Sequence, residues 1–285
     1  MRSNVNEYEL ISPGALDAVL KILSDASARF TPIAGGTELM VALCAGHLEP
    51  RKFVSLWNLE ELRFIEVIDD TITIGSGSTF TDIRNHPVIV EEFPLLSQAA
   101  SWLGSIANQN RATIGGNIVN ASPAADSPPA LLVYNASLTL LSTKGQRTIP
   151  YRDFHIAYKK IALAPEELVH SVTLARNTNG CKQYIRKVGP RNAQAISKVA
   201  LAGLARMRDG HISDIRLGAA SLRETPTRLT VTEQSLLGKR ITAESIAAAR
   251  SALESESKPI DDIRSTAKYR TAVAANLLEE FLRSL

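Results

Sequence analysis

The spacing of apolar and polar residues predicts a small α/β unit at the start of the chain. Apolar residues recur at helical intervals after Ser12 and Pro13, two residue types that are typical of a helix start. This apolar face comprises Leu16, Val19, Leu20 and Leu23. Short apolar runs over 30–34 and 52–56 predict strands, and a helix is predicted over 37–43, directly after the first of them.

The middle of the chain is predicted to combine antiparallel strands with helices. Two runs rich in β-branched residues, 62–68 and 71–75, flank Asp69 and Asp70 and predict a hairpin. The remaining predicted elements of this part are helices over 87–105 and 125–134 and strands over 137–141 and 168–174.

The pattern changes after a polar turn cluster, Arg176 to Gly180, which we interpret as a domain boundary. The predicted elements beyond it are a strand over 182–188, a hairpin of 196–208 with 211–219 around Asp209 and Gly210, and helices over about 243–254 and 265–285. Strands followed by helices are typical of an α+β domain. We therefore predict a first domain over 1–177, with subdomains of about 1–57 and 58–177, and a second domain over 178–285.

Two glycine-paired segments are the strongest indication of function. Glycine lets backbone N–H groups approach a ligand closely, and it readily adopts a positive φ. We expect both properties of these glycine pairs. The first segment also lies at a predicted helix N-terminus, which favours a diphosphate. Taken alone it also fits a strand–turn–helix corner, whereas two such segments about eighty residues apart predict one extended ligand held at two points. The segments are Pro32, Ile33, Ala34, Gly35, Gly36, Thr37, Glu38 and Leu39, and Thr113, Ile114, Gly115, Gly116 and Asn117.

Composition narrows the chemistry. The 285 residues are 45% hydrophobic and 21% charged, which is ordinary for a globular protein, and the net charge of +3 is too small to indicate nucleic-acid binding. The first residues lack a secretory signal, and no apolar run approaches the roughly 20 residues that span a membrane, so we expect a cytoplasmic protein. The two cysteines, Cys44 and Cys181, cannot supply the four thiolates of a [2Fe–2S] centre. With no metal site expected, redox chemistry would require an organic cofactor.

The two segments, with Asp126 after the second, resemble the flavin-binding segments of the FAD subunit of molybdenum hydroxylases. This is the xanthine dehydrogenase and carbon monoxide dehydrogenase family, and the resemblance extends from about Tyr8 to about Phe281. It implies an α+β protein in which two subdomains of the PCMH type, similar to vanillyl-alcohol oxidase, clasp FAD. A C-terminal α+β domain would follow them.

The resemblance implies roles for individual residues. The first segment would wrap the FAD diphosphate through backbone amides, with Gly36 needed mainly for clearance, and the second would bind the diphosphate and ribityl region. Asp126 would contact the flavin nucleotide, which suits a carboxylate only if it accepts from sugar hydroxyls. Asp126 also fits a cap of the following helix, and both roles can hold. Leu103 and Val169 lie where relatives make apolar contacts with the cofactor, although Leu103 equally fits core packing.

Lys187 is the candidate for tuning the flavin. It lies in a segment, Tyr184 to Arg191, that resembles one carrying a lysine near the isoalloxazine. A cation there would stabilise the negative charge of reduced flavin. A solvated strand lysine is the alternative, and strand alternation places Arg186 on the opposite face.

The resemblance further implies an electron-transfer subunit without catalytic side chains, because the flavin carries the chemistry. A large molybdopterin-binding partner would oxidise the substrate, and a small partner with [2Fe–2S] clusters would relay the electrons. FAD would pass them to an acceptor such as NAD⁺. The sequence shows no second nucleotide-binding motif, so NAD⁺ is implied by the resemblance alone. A stand-alone FAD-dependent oxidoreductase of the same superfamily is the alternative, and it would need a substrate pocket with a proton donor. An assembly protein that has lost FAD is a third, although both glycine segments are intact.

Overall fold

The N-terminal unit is a three-stranded sheet with two helices. The computed structural model describes residues 7–49, 51–191 and 194–285. All four predicted apolar residues of the first helix are buried and pack near Val54 and Leu59, so the apolar period sets the face that meets the sheet. The strands, paired in parallel, are β1 (Glu9–Ile11), β3 (Lys52–Ser55) and β2 (Thr31–Ile33), and the helices are α1 (Leu16–Ser24) and α2 (Thr37–Cys44).

The central sheet has five antiparallel strands, and short helices cover it. Alternate residues such as Ile72, Ile74, Leu138 and Leu140 are fully buried, as expected of strands with one face on a core. In sheet order the strands are β4 (Ile65–Ile68), β5 (Thr71–Gly75), β10 (Leu168–Ala175), β6 (Ser137–Ser142) and β7 (Gly145–Pro150). The helices between β5 and β6 are α3 (Phe80–Asn85), α4 (Pro87–Glu92), α5 (Pro94–Trp102), α6 (Ile106–Gln109), α7 (Ile114–Val119) and α8 (Pro128–Val133). A small pair, β8 (His155–Ala157) and β9 (Lys160–Ile161), lies between β7 and β10.

The C-terminal part is a four-stranded antiparallel sheet with three helices. Asp209 and Gly210 have φ values of 51° and 73°, which suit the tight turn of the predicted hairpin. The strands in order are β11 (Lys182–Val188), β12 (Val199–Arg208), β13 (His211–Ala220) and β14 (Thr227–Arg228). The helices are α9 (Thr230–Leu236), α10 (Ala243–Glu256) and α11 (Ala267–Arg283).

Strand β12 contributes to two cores. Ala202 and Leu204 pack with the central sheet and its helices, whereas Leu201 and Ala205 pack with α10 and α11. The C-terminal sheet is therefore the middle layer between the central helices and the C-terminal helices. Because a Cβ on Gly218 of β13 would lie 2.5 Å from the carbonyl oxygen of Pro129, α8 packs directly on this sheet.

Several predicted elements differ in extent. The helix predicted over 87–105 is two helices that break at Phe93 and Pro94, because proline lacks the N–H that would continue the first. The helix predicted over 125–134 begins only at Pro128, a residue suited to a first helical turn. The strand predicted from Leu62 begins at Ile65, after a 3₁₀ turn. The second glycine segment, predicted as a loop, is the first turn of α7 and its cap.

The α+β class is confirmed by these sheets and helices. The proposed boundary near residue 177 lies between β10 and β11 and remains an interpretation of the pattern. No helix in the described part of the chain is both long and apolar enough to cross a membrane.

Candidate cofactor site

The first glycine-paired segment lies against the chain that leads into the second. An ideal Cβ built on Gly35 would stand 1.7 Å from the carbonyl oxygen of Arg111 and 3.1 Å from the backbone nitrogen of Ala112. Only glycine permits this approach, so the turn after β2 and the chain entering α7 form one continuous surface. The structure thus brings together two segments that are far apart in the sequence.

The first segment presents unpaired backbone donors. Strand β2 ends at Ile33, Gly36 takes a φ of 72°, and α2 begins at Thr37. No side chain caps α2, and among the described residues the N–H groups of Thr37, Glu38 and Leu39 donate to no protein acceptor. Residues 32–37 are half-buried, so the segment stays accessible. Free N–H groups and the positive end of the helix dipole suit an anionic ligand.

The second segment is fixed by the turn that follows β5. The N–H groups of Ile114 and Gly115 donate to the carbonyl oxygens of Ser78 at 3.1 Å and Ser76 at 2.9 Å. The Thr113 hydroxyl oxygen accepts from the N–H of Gly116 at 3.1 Å and caps α7. The first turn of α7 is therefore held in place from both sides.

The two glycines of the second segment are needed for the space that a side chain would fill, and not for a special backbone conformation. Gly115 and Gly116 lie inside α7 and neither has a positive φ, so the expectation of a left-handed backbone is wrong for this pair. A Cβ on Gly115 would lie 2.5 Å from the Cβ of Ser76. Beyond its own helix backbone, a Cβ on Gly116 would meet within 4 Å only the Thr113 Oγ1, at 3.1 Å. Gly115 is thus needed for packing, whereas Gly116 leaves an open face.

Asp126 and Lys187 form a buried ion pair between the central and C-terminal parts. Lys187 Nζ donates to Asp126 Oδ2 at 2.6 Å and to the Trp102 carbonyl oxygen at 3.3 Å, and the two side chains are only 10% and 11% exposed. Ser197 Oγ donates to the other carboxylate oxygen at 3.2 Å. Burial raises the pKa of the Asp126 carboxyl, whereas Lys187 and Ser197 favour the carboxylate and oppose that rise.

This geometry excludes the alternative role of each residue. Helix α8 has Ser127 before its first turn and no side-chain cap, so the helix-cap role of Asp126 is wrong. The solvated alternative for Lys187 is also wrong, because its ammonium group is buried against Asp126. Arg186 faces the other side of β11, 3.7 Å from Glu280, as strand alternation predicts.

The remaining predicted residues flank these groups. Ser127 Oγ donates to Asn117 Oδ1 at 2.7 Å, which fixes the amide of Asn117. Leu103 is partly buried against the central core, as expected of the core-packing alternative. Val169 is 5% exposed and lies in the same core cluster as Ile114 of the second segment.

Sequence analysis missed the residues that support the site. Ser76 and Ser78 anchor the second segment, and Trp102 and Ser197 complete the environment of the ion pair. The small polar run that contains Ser76 and Ser78, directly after a predicted strand, is a signal that could have indicated a tight supporting turn. Trp102 acts through its backbone carbonyl, which no sequence pattern reveals.

Comparison with known proteins identifies the family. Residues 6–176 match the model of the FAD binding domain in molybdopterin dehydrogenase, and residues 184–285 match the CO dehydrogenase flavoprotein C-terminal domain. The chain belongs to the molybdopterin dehydrogenase FAD-binding family. The resemblance noted from the glycine segments is confirmed.

Several relatives match this chain over most of their own lengths. The xanthine dehydrogenase FAD-binding subunit of Escherichia coli O157:H7 is 29% identical, over 84% of this chain and 82% of its own. The nicotinate dehydrogenase FAD-subunit of Eubacterium barkeri is 30% identical, over 76% and 74%. The solved carbon monoxide dehydrogenase of Hydrogenophaga pseudoflava superposes with a TM-score of 0.93 at 25% identity, covering 97% of this chain and 96% of that one.

The chain is therefore an FAD-binding oxidoreductase subunit of the molybdopterin dehydrogenase type. Its residues fit the cofactor, because the free N–H groups of α2 suit a diphosphate and the face beside Gly116 is open. Within the described ranges, no three His, Cys, Asp or Glu side chains come together in a way that could hold a metal ion.

Proposed function

We propose that this subunit transfers electrons from the [2Fe–2S] clusters of a partner chain, through its FAD, to an external acceptor such as NAD⁺. A large molybdopterin-binding partner would oxidise the substrate of the complex, and a small iron–sulfur partner would relay the electrons. The family supports this role, since its relatives include medium chains and FAD subunits of carbon monoxide, xanthine and nicotinate dehydrogenases.

The contact of Gly35 with the chain that enters α7 is the observation that carries the proposal. It supports a shared site because the turn before α2 has free backbone donors and Gly116 of α7 has an open face, two features that each suit a dinucleotide. We assign the diphosphate and ribityl part of FAD to the two segments. FAD supplies the electron-transfer chemistry when it is bound, and the chain binds and orients it. The assigned residues are Pro32, Ile33, Ala34, Gly35, Gly36, Thr37, Glu38, Leu39, Thr113, Ile114, Gly115, Gly116 and Asn117.

We assign the flavin end of the cofactor to the surroundings of the buried ion pair. Leu103 and Val169 would provide apolar contacts that exclude water. Lys187 favours the carboxylate form of Asp126 at 2.6 Å and opposes the rise in pKa that burial causes, and the carboxylate retains acceptor capacity for a sugar hydroxyl. Because the pair is nearly neutral as a whole, its influence on the flavin potential would be that of a dipole and smaller than that of a lone cation.

A reconstitution experiment tests the proposal. The FAD-loaded chain is mixed anaerobically with its small iron–sulfur subunit, which has been reduced beforehand. The flavin absorbance at about 450 nm is then followed. Bleaching on mixing is expected, followed by recovery when the acceptor is added. NAD⁺, a quinone and oxygen are compared as acceptors. A flavin that stays oxidised in the assembled complex would contradict electron transfer through this chain, and recovery with a quinone or oxygen but not NAD⁺ would reject only NAD⁺ as the acceptor.

A further inference from the structure

The turn between α10 and α11 displays isoleucines to solvent. The side chain of Ile263 is 97% exposed and that of Ile260 is 69% exposed. Tyr269, one turn into α11, is 44% exposed, and Ile196, on the approach to β12, is 52% exposed. Single exposed apolar residues are common on protein surfaces, but several near one turn indicate an interaction surface. We call residues 260–265 the Ile263 turn.

The Ile263 turn is rigidly built. Asp262 Oδ1 accepts from the N–H groups of Arg264 at 2.8 Å and Ser265 at 3.1 Å, and backbone hydrogen bonds join Asp262 and Ser265 in both directions. Asp261 Oδ1 accepts from the N–H of Ala267 in the first turn of α11. Because these bonds fix the backbone on both sides of Ile263, the residue is presented from a defined turn and not from a loose loop.

A buried arginine connects the Ile263 turn to the cofactor site. Arg270 is 3% exposed, donates to Asp262 Oδ1 at 2.7 Å and donates to the carbonyl oxygen of Lys198 at 2.7 Å. Lys198 follows Ser197, whose hydroxyl donates to Asp126 of the buried ion pair. The ammonium of Lys198 also lies 5.4 Å from the ring centre of Tyr269. The Ile263 turn is therefore connected to the wall of the cofactor site by successive contacts of Arg270, Lys198 and Ser197.

From these contacts we infer that the Ile263 turn is the docking element for the small iron–sulfur subunit, an inference that rests on the proposed function. Electron transfer weakens steeply with distance, so the donor must bind next to the cofactor, where this turn is anchored. The partner surface would be an apolar pocket with an acidic rim, because the turn and its flanks carry a net positive charge. Lys258, Arg264 and Lys268 are exposed, whereas the carboxylates are Asp261, which is exposed, and Asp262, which pairs with Arg264 at 3.5 Å and Arg270 at 2.7 Å.

The same charges disfavour a second copy of this chain as the occupant. A twofold interface at the turn would bring the same patch of both copies together, and the net positive charge of each would face that of the other. Like charges placed opposite each other across an interface weaken it, whereas an acidic partner would gain from them.

The test measures binding of the FAD-loaded full chain to its small subunit by calorimetry. Ile263→Asp is expected to weaken binding about tenfold or more, because it places a carboxylate in an apolar pocket with an acidic rim. FAD content and the thermal midpoint should stay unchanged, since the side chain is exposed. The matched control is Val90→Asp, at an exposed position on α4 (49%) away from the turn. Lys268→Glu should weaken binding and reduce its salt dependence.

The other results distinguish failure of the docking inference from failure of the proposed function. Unchanged affinity of Ile263→Asp for the small subunit would exclude the turn as its docking element. Loss of the large subunit alone, or a change in the oligomeric state of the isolated chain, would assign the turn to a different occupant. If the unaltered chain binds the small subunit but its flavin is not reduced, the proposed function fails while the docking inference stands. If it does not bind at all, both fail.

Discussion

At the scale of single residues, the four glycines of the cofactor site have different physical tasks. Gly35 and Gly115 are glycine because another backbone or side chain occupies the place of a Cβ, whereas Gly36 is glycine because its backbone is left-handed. Gly116 has neither a left-handed backbone nor a backbone atom in the place of a Cβ, and its one close neighbour is the Thr113 hydroxyl at 3.1 Å, so its missing side chain is best explained by room for a ligand.

Substitution of Gly116 should therefore separate folding from cofactor binding. Gly116→Val is expected to abolish FAD retention while lowering the thermal midpoint of the FAD-free chain by only a few degrees, since the single close protein atom is the Thr113 hydroxyl that caps α7 and no backbone atom lies in the way. Gly35→Val should lower both, because its Cβ would overlap the Arg111 carbonyl. Flavin absorbance per protein and thermal unfolding measure the two effects. Normal FAD content in Gly116→Val would show that this face does not contact the cofactor.

The buried ion pair gives a second prediction at this scale. Lys187→Met should lower the free energy of unfolding at neutral pH by about 3 kcal/mol, because it leaves the Asp126 carboxylate buried without its cation. Arg186→Met, which removes an exposed pair with Glu280, should change it by less than about 1 kcal/mol. Urea unfolding of both variants measures the difference. Equal losses would mean that the buried pair contributes no more than the exposed one.

The loss in Lys187→Met should depend on pH with a definite sign. Without Lys187, the pKa of Asp126 in the folded chain rises further above its unfolded value of about 3.9. Folding then binds a proton, so the variant loses stability as the pH rises from the unfolded pKa through the folded one. The variant should be closest to the unaltered chain in acid. A loss that is constant from acid to neutral pH would contradict the assigned role of Asp126.

At the scale of elements, the central helices and the C-terminal sheet meet without intervening side chains at Gly218. Gly218→Val is expected to lower the free energy of unfolding by about 1–3 kcal/mol, because its side chain would push β13 away from α8. Gly14→Val is the matched control, since no atom lies within 4 Å of its Cβ position and its φ is not left-handed. Denaturant unfolding measures both variants. Equal losses of unfolding free energy would mean that the contact between β13 and α8 is not important for stability.

Tyr134 joins three elements through its hydroxyl. It accepts from the N–H of Leu95 at the start of α5 at 3.0 Å and donates to Gln183 of β11 at 2.6 Å, and burial raises its pKa so that it stays neutral. Tyr134→Phe should cost about 1–3 kcal/mol, because it leaves both partners unsatisfied. The control Tyr158→Phe, at a side chain that is 61% exposed, should be silent in the same thermal unfolding assay.

Elements with a strong local signal were predictable, and contacts between distant segments were not. The α1 face, the hairpin at Asp209 and Gly210, and both C-terminal helices follow from periodicity and turn chemistry. The break at Pro94 was missed because the apolar pattern continues across it. The helical state of Gly115 and Gly116 was missed because glycine is a poor helix former, and only the bonds to Ser76 and Ser78 hold it there.

At the scale of the whole molecule, the family match and the glycine segments agree on FAD, so the cofactor should act as a folding ligand. Added FAD should raise the thermal midpoint of the FAD-free chain in proportion to the logarithm of its concentration, as expected for a ligand that binds only the folded state. Riboflavin, which lacks the diphosphate, should raise it less. Equal shifts with the two ligands would mean that the glycine segments do not bind the diphosphate.

The shared strand β12 also has a consequence for how such chains can diverge. One residue inserted within it would exchange inward and outward positions along the rest of the strand, so both hydrophobic cores would lose their side chains at once. A sheet with one solvated face would suffer in only one core. Insertions and deletions among homologues should therefore occur at the reverse turn of Asp209 and Gly210 and not within 199–208. Deep mutational scanning of this chain with single-residue insertions should show the same difference in tolerance.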